Sequence, residues 1–227
     1  MNVVPRTEEI TGTHFYEPGN GHRLKHDPLK AIVAPRPIGW ISTMDKDGNV
    51  NLAPYSFFNG INEKPPMLMF AGTAHKDSIR NAEETGEFVF NLVTRKFAEA
   101  MNTSCATLPH EVNEMRLSGL DAAPSVTVRP PRVKGVAAAF ECKVIQVVHL
   151  KDLDGRPLKQ TVIMGQATGI HIDPAHIRDG LFDTAGARPI ARCGYRGDYA
   201  EVSELFEMIR PDDAETQDLL QRWRSMK

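Results

Sequence analysis

The feature that most constrains the fold is a series of short β-forming segments, each bounded by residues that favour turns. Ile38–Met44 is apolar and β-branched, and Asp45-Lys46-Asp47-Gly48 follows it as a hairpin turn with glycine where a positive φ is needed. Val50–Phe57 then returns alongside the first segment. Met67–Phe70 is a further apolar strand, introduced by two prolines. This succession predicts antiparallel pairing between neighbouring segments.

Three longer segments continue the strand pattern. Glu87–Val93 alternates large apolar side chains with residues on the opposite face, which is typical of a strand. The alternation of Val136–Leu150 loses its phase at Ile145, and such a slip predicts a β-bulge. Thr161–Ile172 follows a turn and returns as the partner of that strand.

Helical signals are fewer and lie between or after the strands. Asp77–Thr85 is closed by Gly86, the residue preferred just beyond a helix end. Arg95–Cys105 has apolar residues at helical spacing. Asp212–Met226 begins with acidic residues and ends with basic ones, the order that suits the helix dipole. The sequence therefore predicts a mainly β protein, an antiparallel β-barrel with peripheral helices, rather than a parallel βαβ sheet.

Length and composition favour one globular domain. The chain has 227 residues, of which 41% are hydrophobic and 25% are charged. A chain of this size buries a core without disulfides or structural metals. We expect residues 1–227 to form a single domain, with a core at about 25–200 and an extension at each end.

The charge balance indicates which classes of partner to expect, and the cysteines indicate the cellular compartment. The net charge is −2 and the isoelectric point is near 6.4, whereas a nucleic-acid-binding surface usually needs a basic excess. No apolar run approaches the roughly 18 residues of a spanning helix, so we expect neither nucleic acid nor a membrane as a partner. The N-terminus has no secretory pattern, and Cys105, Cys142 and Cys193 are scattered. Both observations favour a cytoplasmic protein.

Several motifs that would specify other chemistry are missing. The sequence contains no G-x-G-x-x-G, no Walker A motif, no G-x-S-x-G elbow and no H-E-x-x-H. His171 and His176 are five residues apart with Pro174 between them, which does not place them on one helical face. We therefore expect no metal site.

The segment most informative about function is residues 34–78. Lys76-Asp77-Ser78 stands at a predicted helix start, where free backbone N–H groups attract an anion and Lys76 adds a positive charge. The same segment contributes hydroxyl groups and rings that could hold a flat polar ligand: Ser42, Thr43, Ser56, Trp40, Tyr55, Phe57 and Phe58. A phosphate, polar edges and a planar aromatic ring together describe flavin mononucleotide (FMN).

Each of these features also has a plainer explanation. Asp77 can cap its helix without any phosphate, the aromatic side chains can be ordinary core, and Lys76 can be a solvated surface charge. The combination is more specific than any single part.

The order of several motifs resembles the flavin reductase-like family of FMN-binding split barrels. The matching motifs are Arg-Pro-Ile-Gly-Trp-Ile-Ser-Thr at 36–43, Asn-Leu-Ala-Pro-Tyr-Ser-Phe-Phe at 51–58, Pro65-Pro66, Lys76-Asp77-Ser78 and Thr-Gly-Glu-Phe-Val-Phe-Asn at 85–91. The resemblance spans about residues 25–200, and its most specific part is 34–91. Residues after about 200 do not contribute to it.

The resemblance implies a split antiparallel β-barrel that forms a homodimer with FMN near the subunit interface. The implied cofactor-binding residues are Arg36, Pro37, Ile38, Trp40, Ser42, Thr43, Asn51, Ala53, Pro54, Tyr55, Ser56, Phe57, His75, Lys76, Asp77 and Ser78. His75 stands where the family often has serine or threonine. The resemblance also places His171 near the flavin or the nicotinamide.

The activity that the resemblance implies is transfer of a hydride from NADH or NADPH to flavin. No catalytic nucleophile is required, because the cofactor carries the chemistry and the protein positions the rings. Reduced flavin could then supply a partner monooxygenase. The main alternative is an FMN-binding electron carrier without nicotinamide oxidoreductase activity. A pyridoxamine-phosphate-type oxidase needs a second phosphate site, for which Arg129, Arg132 and Lys134 are a weak candidate.

Overall fold

The computed structural model describes residues 12–226. The strands are β1 (Arg36–Pro37), β2 (Gly39–Met44), β3 (Val50–Tyr55), β4 (Phe58–Asn62), β5 (Met67–Thr73), β6 (Glu87–Leu92), β7 (Ala122–Ala123), β8 (Arg132–Val133), β9 (Ala138–Lys151), β10 (Pro157–Ile172), β11 (Ile177–Arg178), β12 (Leu181–Phe182), β13 (Ile190–Arg192) and β14 (Tyr199–Glu201). The helices are α1 (Leu29–Ile32), α2 (Asp77–Thr85), α3 (Ala98–Thr103), α4 (Glu114–Leu117), α5 (Thr184–Ala187) and α6 (Asp213–Ser225).

Seven strands form one antiparallel sheet in the order β3-β2-β6-β9-β10-β5-β4. The edge strands β3 and β4 are separated in the chain only by Ser56 and Phe57, so the sheet must curl until its edges approach each other. At this closure the ring of Phe58 lies so near β2 that a Cβ on Gly39 would come within 2.4 Å of it. The prediction of a mainly β, split antiparallel barrel is confirmed.

The strand and turn predictions correspond closely to the observed elements. Gly48 has φ 93° in the turn between β2 and β3, as the hairpin signal requires. Gln146 pairs with Met164 and Val144 pairs with Gly165, which leaves Ile145 as the extra residue of a bulge. The loss of alternation in the sequence therefore marks a real register shift on β9.

Two apolar clusters lie on the two faces of the curled sheet. The inner cluster contains Phe70 and Phe88, both completely buried, with Ile79 of α2 packed against them. The outer cluster contains Trp40 and Met101, where α3, α4 and the segment before β9 cover the sheet. Helix α2 thus closes the barrel, and its first turn lies at the barrel rim.

The observed helices α2 and α6 agree with the predicted ones, but the helix predicted between them does not. Helix α2 has the predicted bounds, and Gly86 ends it in the left-handed region at φ 73°. The single helix predicted at Arg95–Cys105 is instead a short 3-10 turn, Arg95–Phe97, followed by α3. Helix α6 begins with a capping box between Asp212 and Glu215. Within residues 12–226, no helix has both the length and the apolarity needed to span a membrane.

Candidate functional site

A cavity of about 410 Å3 opens at the rim of the barrel, between β3, the start of α2 and the segment that joins α3 to α4. We call it the cradle. Eight of the predicted site residues line it: Asn51, Ala53, Pro54, Tyr55, His75, Lys76, Asp77 and Ser78. The structure therefore brings the end of β3 and the start of α2 together around one space.

The start of α2 forms the cationic, hydrogen-bond-donating end of the cradle. The first intrahelical hydrogen bonds are donated by Ile79 and Arg80 to the carbonyl of Lys76. The amides of Asp77 and Ser78 precede these bonds and have no acceptor within the helix. No side chain caps the helix, and Lys76 is exposed beside it. This end of the cradle suits an anion.

The carboxylate of Asp77 lies at the same end of the cradle and contacts Arg80 and His110. Arg80 donates a hydrogen bond of 2.5 Å to its Oδ1, and Nδ1 of His110 lies 3.1 Å from the same atom. The negative charge of Asp77 is therefore paired with a neighbouring cation, which reduces its repulsion of an incoming anion.

A buried hydrogen bond fixes α2 to the barrel. Nδ2 of Asn51 donates to Oγ of Ser78 at 2.6 Å, and both residues are buried. One turn further along the helix, Nδ2 of Asn81 donates to Oγ1 of Thr43 at 3.2 Å. Thr43 therefore lies behind the cradle and holds α2 in position.

The opposite wall is less polar and comes from the end of β3. Ala53, Pro54 and Tyr55 line it, and the ring of Tyr55 packs against Phe70 with centroids 5.1 Å apart. The Tyr55 hydroxyl is buried beside Ser78 and makes no hydrogen bond of good geometry with any described residue. Burial raises the pKa of Tyr55 to about 12. The hydroxyl is thus a neutral donor at the edge of the cradle.

The third wall is the strap, residues 105–113, which joins α3 to α4 without regular structure. Five of its residues line the cradle: Cys105, Ala106, Thr107, Leu108 and His110. At its end, Glu114 accepts a hydrogen bond of 3.2 Å from the Leu52 amide, and burial raises the pKa of this carboxyl. Sequence reasoning missed this wall because the strap contains no motif and reaches the cradle only through the fold.

The comparisons with known proteins identify the family. The pattern of the flavin reductase like domain matches residues 33–190. The chain belongs to this family. An uncharacterized protein of Aquifex aeolicus is 38% identical over 169 residues, which cover 72% of this chain and 83% of the relative. The resemblance drawn from the motifs between residues 34 and 91 is therefore confirmed.

Two solved structures extend the family likeness over most of the chain. One is nitrilotriacetate monooxygenase component B from Bacillus cereus, at a TM-score of 0.76 and 26% identity, covering 92% of this chain and 98% of the other. The other is 2-nitrobenzoate 2-nitroreductase from Pseudomonas fluorescens, at a TM-score of 0.77 and 26% identity, covering 88% and 98%. At these TM-scores the two structures share the fold described above.

Two other predicted site residues of this flavin reductase-like chain, Trp40 and Ser42, are buried on β2 and do not line the cradle. Trp40 is completely buried, and its indole N–H donates to Oγ of Ser104 at 3.0 Å. Ser42 is also completely buried and donates to the carbonyl of Pro131 at 2.6 Å. In this structure Trp40 packs in the outer cluster, and its ring is not exposed to a ligand. Ser104, however, lines the cradle, so the hydrogen bond from Trp40 positions a hydroxyl group of the cradle wall.

The remaining residues of the predicted set lie beside the cradle rather than around it. Arg36 is buried and donates to the carbonyls of Lys30 and Val33, which ties α1 to β1. Ile38 is buried in the outer cluster, and Pro37 is exposed on β1. Ser56 and Phe57 form the crossing from β3 to β4, where Phe57 is partly exposed.

His171 lies near the end of β10 and lines a different cavity of about 400 Å3 with Arg132 and Asp173. Its Nε2 is 2.5 Å from Oε1 of Glu141, which is completely buried. Burial raises the pKa of Glu141, but hydrogen bonds from Thr127, His171 and Val126 outweigh it and lower the pKa to about 2. His171 thus makes a hydrogen bond to a fixed carboxylate, outside the lining of the cradle.

Proposed function

We propose that this chain binds FMN in the cradle and catalyses its reduction by NADH or NADPH. The observation that carries the proposal is the meeting, in one cavity, of a helix start with free amides, a lysine, and a less polar wall ending in an unpartnered tyrosine hydroxyl. Membership of the flavin reductase like domain family supports the same chemistry.

The residues present fit FMN in kind and in scale. The cradle falls within the roughly 300–1,000 Å3 typical of small-molecule sites. The amides of Asp77 and Ser78, with Lys76, would hold the phosphate. Ala53 and Tyr55 would contact the ring system, and the buried Tyr55 hydroxyl would gain the partner that it lacks.

The protein's contribution is to bind, orient and exclude water. FMN, when bound, supplies the chemistry by accepting a hydride from the nicotinamide. Lys76 and the start of α2 would fix one end of the cofactor, while β3 and the strap would confine the other. We place the nicotinamide on the exposed side of the cradle. His171, which the resemblance implies as a nicotinamide contact, lines a different cavity and is not part of this proposed position.

We further propose that reduced flavin serves a partner monooxygenase. The support is the likeness to a solved protein whose name describes it as component B of a monooxygenase, and the match covers 98% of that protein. All three cysteines of this chain are unpaired, which supports a cytoplasmic location for such a pair.

We also propose a homodimer, because the C-terminal arm (residues 203–226) has no buried residue. Its apolar run consists of Leu205, Phe206, Met208 and Ile209, each 67–85% exposed. Fully burying one such side chain stabilises by about 1.5–3 kcal/mol. A second copy related by a twofold axis would cover both arms at once.

Oxidation of NADH or NADPH tests the reductase activity. The purified protein is mixed with FMN and each nicotinamide in turn, and the loss of nicotinamide absorbance is followed with and without protein. We expect turnover with at least one donor. Retention of FMN with no oxidation of either donor would contradict the reductase proposal and favour an electron carrier.

A further inference from the structure

The strap is held firmly at its two ends and by one side chain in the middle. At its start, Ser104 accepts the indole N–H of Trp40, and at its end Glu114 accepts the amide of Leu52. Between these points, in the described part of the chain, His110 makes every side-chain hydrogen bond from residues 105–113 to the barrel or to α2.

The His110 ring connects three groups that belong to two other elements. Nε2 lies 2.9 Å from Oδ2 of Asp45, at the end of β2. Nδ1 lies 2.7 Å from a guanidinium nitrogen of Arg80 and 3.1 Å from Oδ1 of Asp77, both on α2. A proton on Nε2 lets the ring donate to Asp45 and accept from Arg80. Nδ1 of His110 and Oδ1 of Asp77 are then both acceptors, and the Arg80 guanidinium donates to each of them, so the contact needs no charge on the ring.

The Asp45 end of this contact is fixed in place. Asp45 is buried, and it accepts hydrogen bonds from the amides of Asp47 and Asn49 and from the Asn49 side chain. Burial raises the pKa of Asp45, but these hydrogen bonds and the one from His110 lower it to about 2. The carboxylate is therefore an ionised, rigid acceptor, and a side chain bound to it is held against the barrel.

These contacts close the strap over the space where the phosphate would enter. Asp77, whose Oδ1 accepts from the same Arg80 nitrogen as the imidazole, is also the first residue of α2 and lines the cradle with His110. We propose that His110 is a latch that holds the strap across the cradle and sets the rate at which FMN enters and leaves. The inference rests on the proposed function and adds to it that slow exchange of FMN depends on His110.

Rapid-mixing fluorescence measures the exchange. FMN is mixed with the protein to give the association rate, and dilution of the loaded protein gives the dissociation rate. For His110→Ala we expect both rates to rise, dissociation by about tenfold, the factor expected from losing about 1.4 kcal/mol of hydrogen bonding. The equilibrium affinity should change less than either rate. His110→Gln keeps one donor and one acceptor, and should return both rates towards those of the unaltered protein.

His149→Ala is the matched control. His149 also contacts a carboxylate on α2, with Nε2 3.4 Å from Glu83, but it is absent from the cradle lining. The association and dissociation rates of FMN in His149→Ala should equal those of the unaltered protein. Unchanged exchange in His110→Ala, or equal acceleration in His149→Ala, would overturn the latch. Failure of the unaltered protein to bind FMN would overturn the proposed function instead, so the two failures are distinguishable.

Discussion

The side-chain amide of Asn51 donates a buried hydrogen bond of 2.6 Å to the hydroxyl of Ser78, and this bond joins β3 to the first turn of α2. The two residues come from the two walls of the cradle that the sequence predicted. Their contact sets the separation between the proposed anion-binding end and the proposed ring-binding wall.

Replacing Ser78 with alanine should loosen this junction. The buried Asn51 amide would lose its acceptor, at a cost of about 1–3 kcal/mol in the free energy of unfolding. FMN affinity should fall as well, because the first turn of α2 would no longer be fixed. Urea denaturation and FMN titration measure the two effects. Ser225→Ala on the exposed helix α6 is the control and should change stability by no more than about 0.5 kcal/mol. An equally small change in Ser78→Ala would contradict the structural role of the hydrogen bond between Asn51 and Ser78.

Lys76→Ala should weaken FMN binding by about tenfold, as expected for the loss of one charge-assisted contact at an exposed position. The salt dependence of binding should also decrease, since one cation fewer would meet the phosphate. Lys64→Ala is the control, because Lys64 is also exposed but lies in the turn between β4 and β5. Equal dissociation constants for the two variants would remove Lys76 from the site.

Tyr55→Phe should separate stability from binding. The hydroxyl has no good hydrogen bond without ligand, so its removal should leave the unfolding free energy unchanged or raise it. FMN affinity should fall, because the hydroxyl is a proposed donor to the cofactor. Thermal unfolding and FMN titration of the same preparation test both statements. A variant that binds FMN as tightly as the original would show that the hydroxyl does not contact the ligand.

Glu141 should make the protein sensitive to acid. Its pKa falls from an ordinary 4.5 to about 2 in the folded state, so the unfolded chain binds the proton more readily. This carboxylate therefore contributes roughly 3 kcal/mol of stability above pH 4.5, and the contribution is lost as the pH falls from 4.5 towards 2.

Glu141→Gln measures that contribution. The variant should unfold more easily at neutral pH and approach the original protein as the pH falls towards 2, when stability is followed by denaturation across the pH range. Glu63→Gln changes an exposed carboxyl and should leave the curve unaltered. A constant difference between Glu141→Gln and the original at every pH would contradict the assignment.

Phe206→Asp should disrupt the proposed dimer. Phe206 is 85% exposed in the arm, and a charge there would be costly to bury against a second copy. Light scattering after gel filtration should show a dimer for the original protein and a shift to monomer for the variant. Leu153→Asp, at a fully exposed turn position, should remain dimeric. A monomeric original protein would refute the proposal directly.

Local signals predicted much of the fold and two walls of the cradle. The turn at Gly48, the bulge at Ile145 and the end of α2 at Gly86 each depend on residues adjacent in the chain. Pairs such as Asp45 and His110 are 65 residues apart, and the strap between α3 and α4 has no motif of its own. Its place over the cradle is set by packing around Trp40 and Glu114, which a single sequence does not reveal.

The sequence also did not show which face of β2 is turned towards the cradle and α2. Trp40 and Ser42 lie in the same motif as Thr43, but alternation along β2 places them on the other face of the strand. Trp40 packs there in the outer cluster and Ser42 bonds the Pro131 carbonyl, whereas Thr43 faces α2. The motif therefore contains residues from both faces of β2, and only the three-dimensional structure distinguishes the face turned towards the cradle from the other face.

Titration of the purified protein with FMN, followed by flavin fluorescence or calorimetry, tests the central claim most directly. We predict saturable binding of one FMN per chain with a dissociation constant below about 10 μM, equivalent to roughly 7 kcal/mol of binding free energy. Absence of any signal at FMN concentrations up to about 1 mM, where a binding free energy of only about 4 kcal/mol would suffice, would contradict the account.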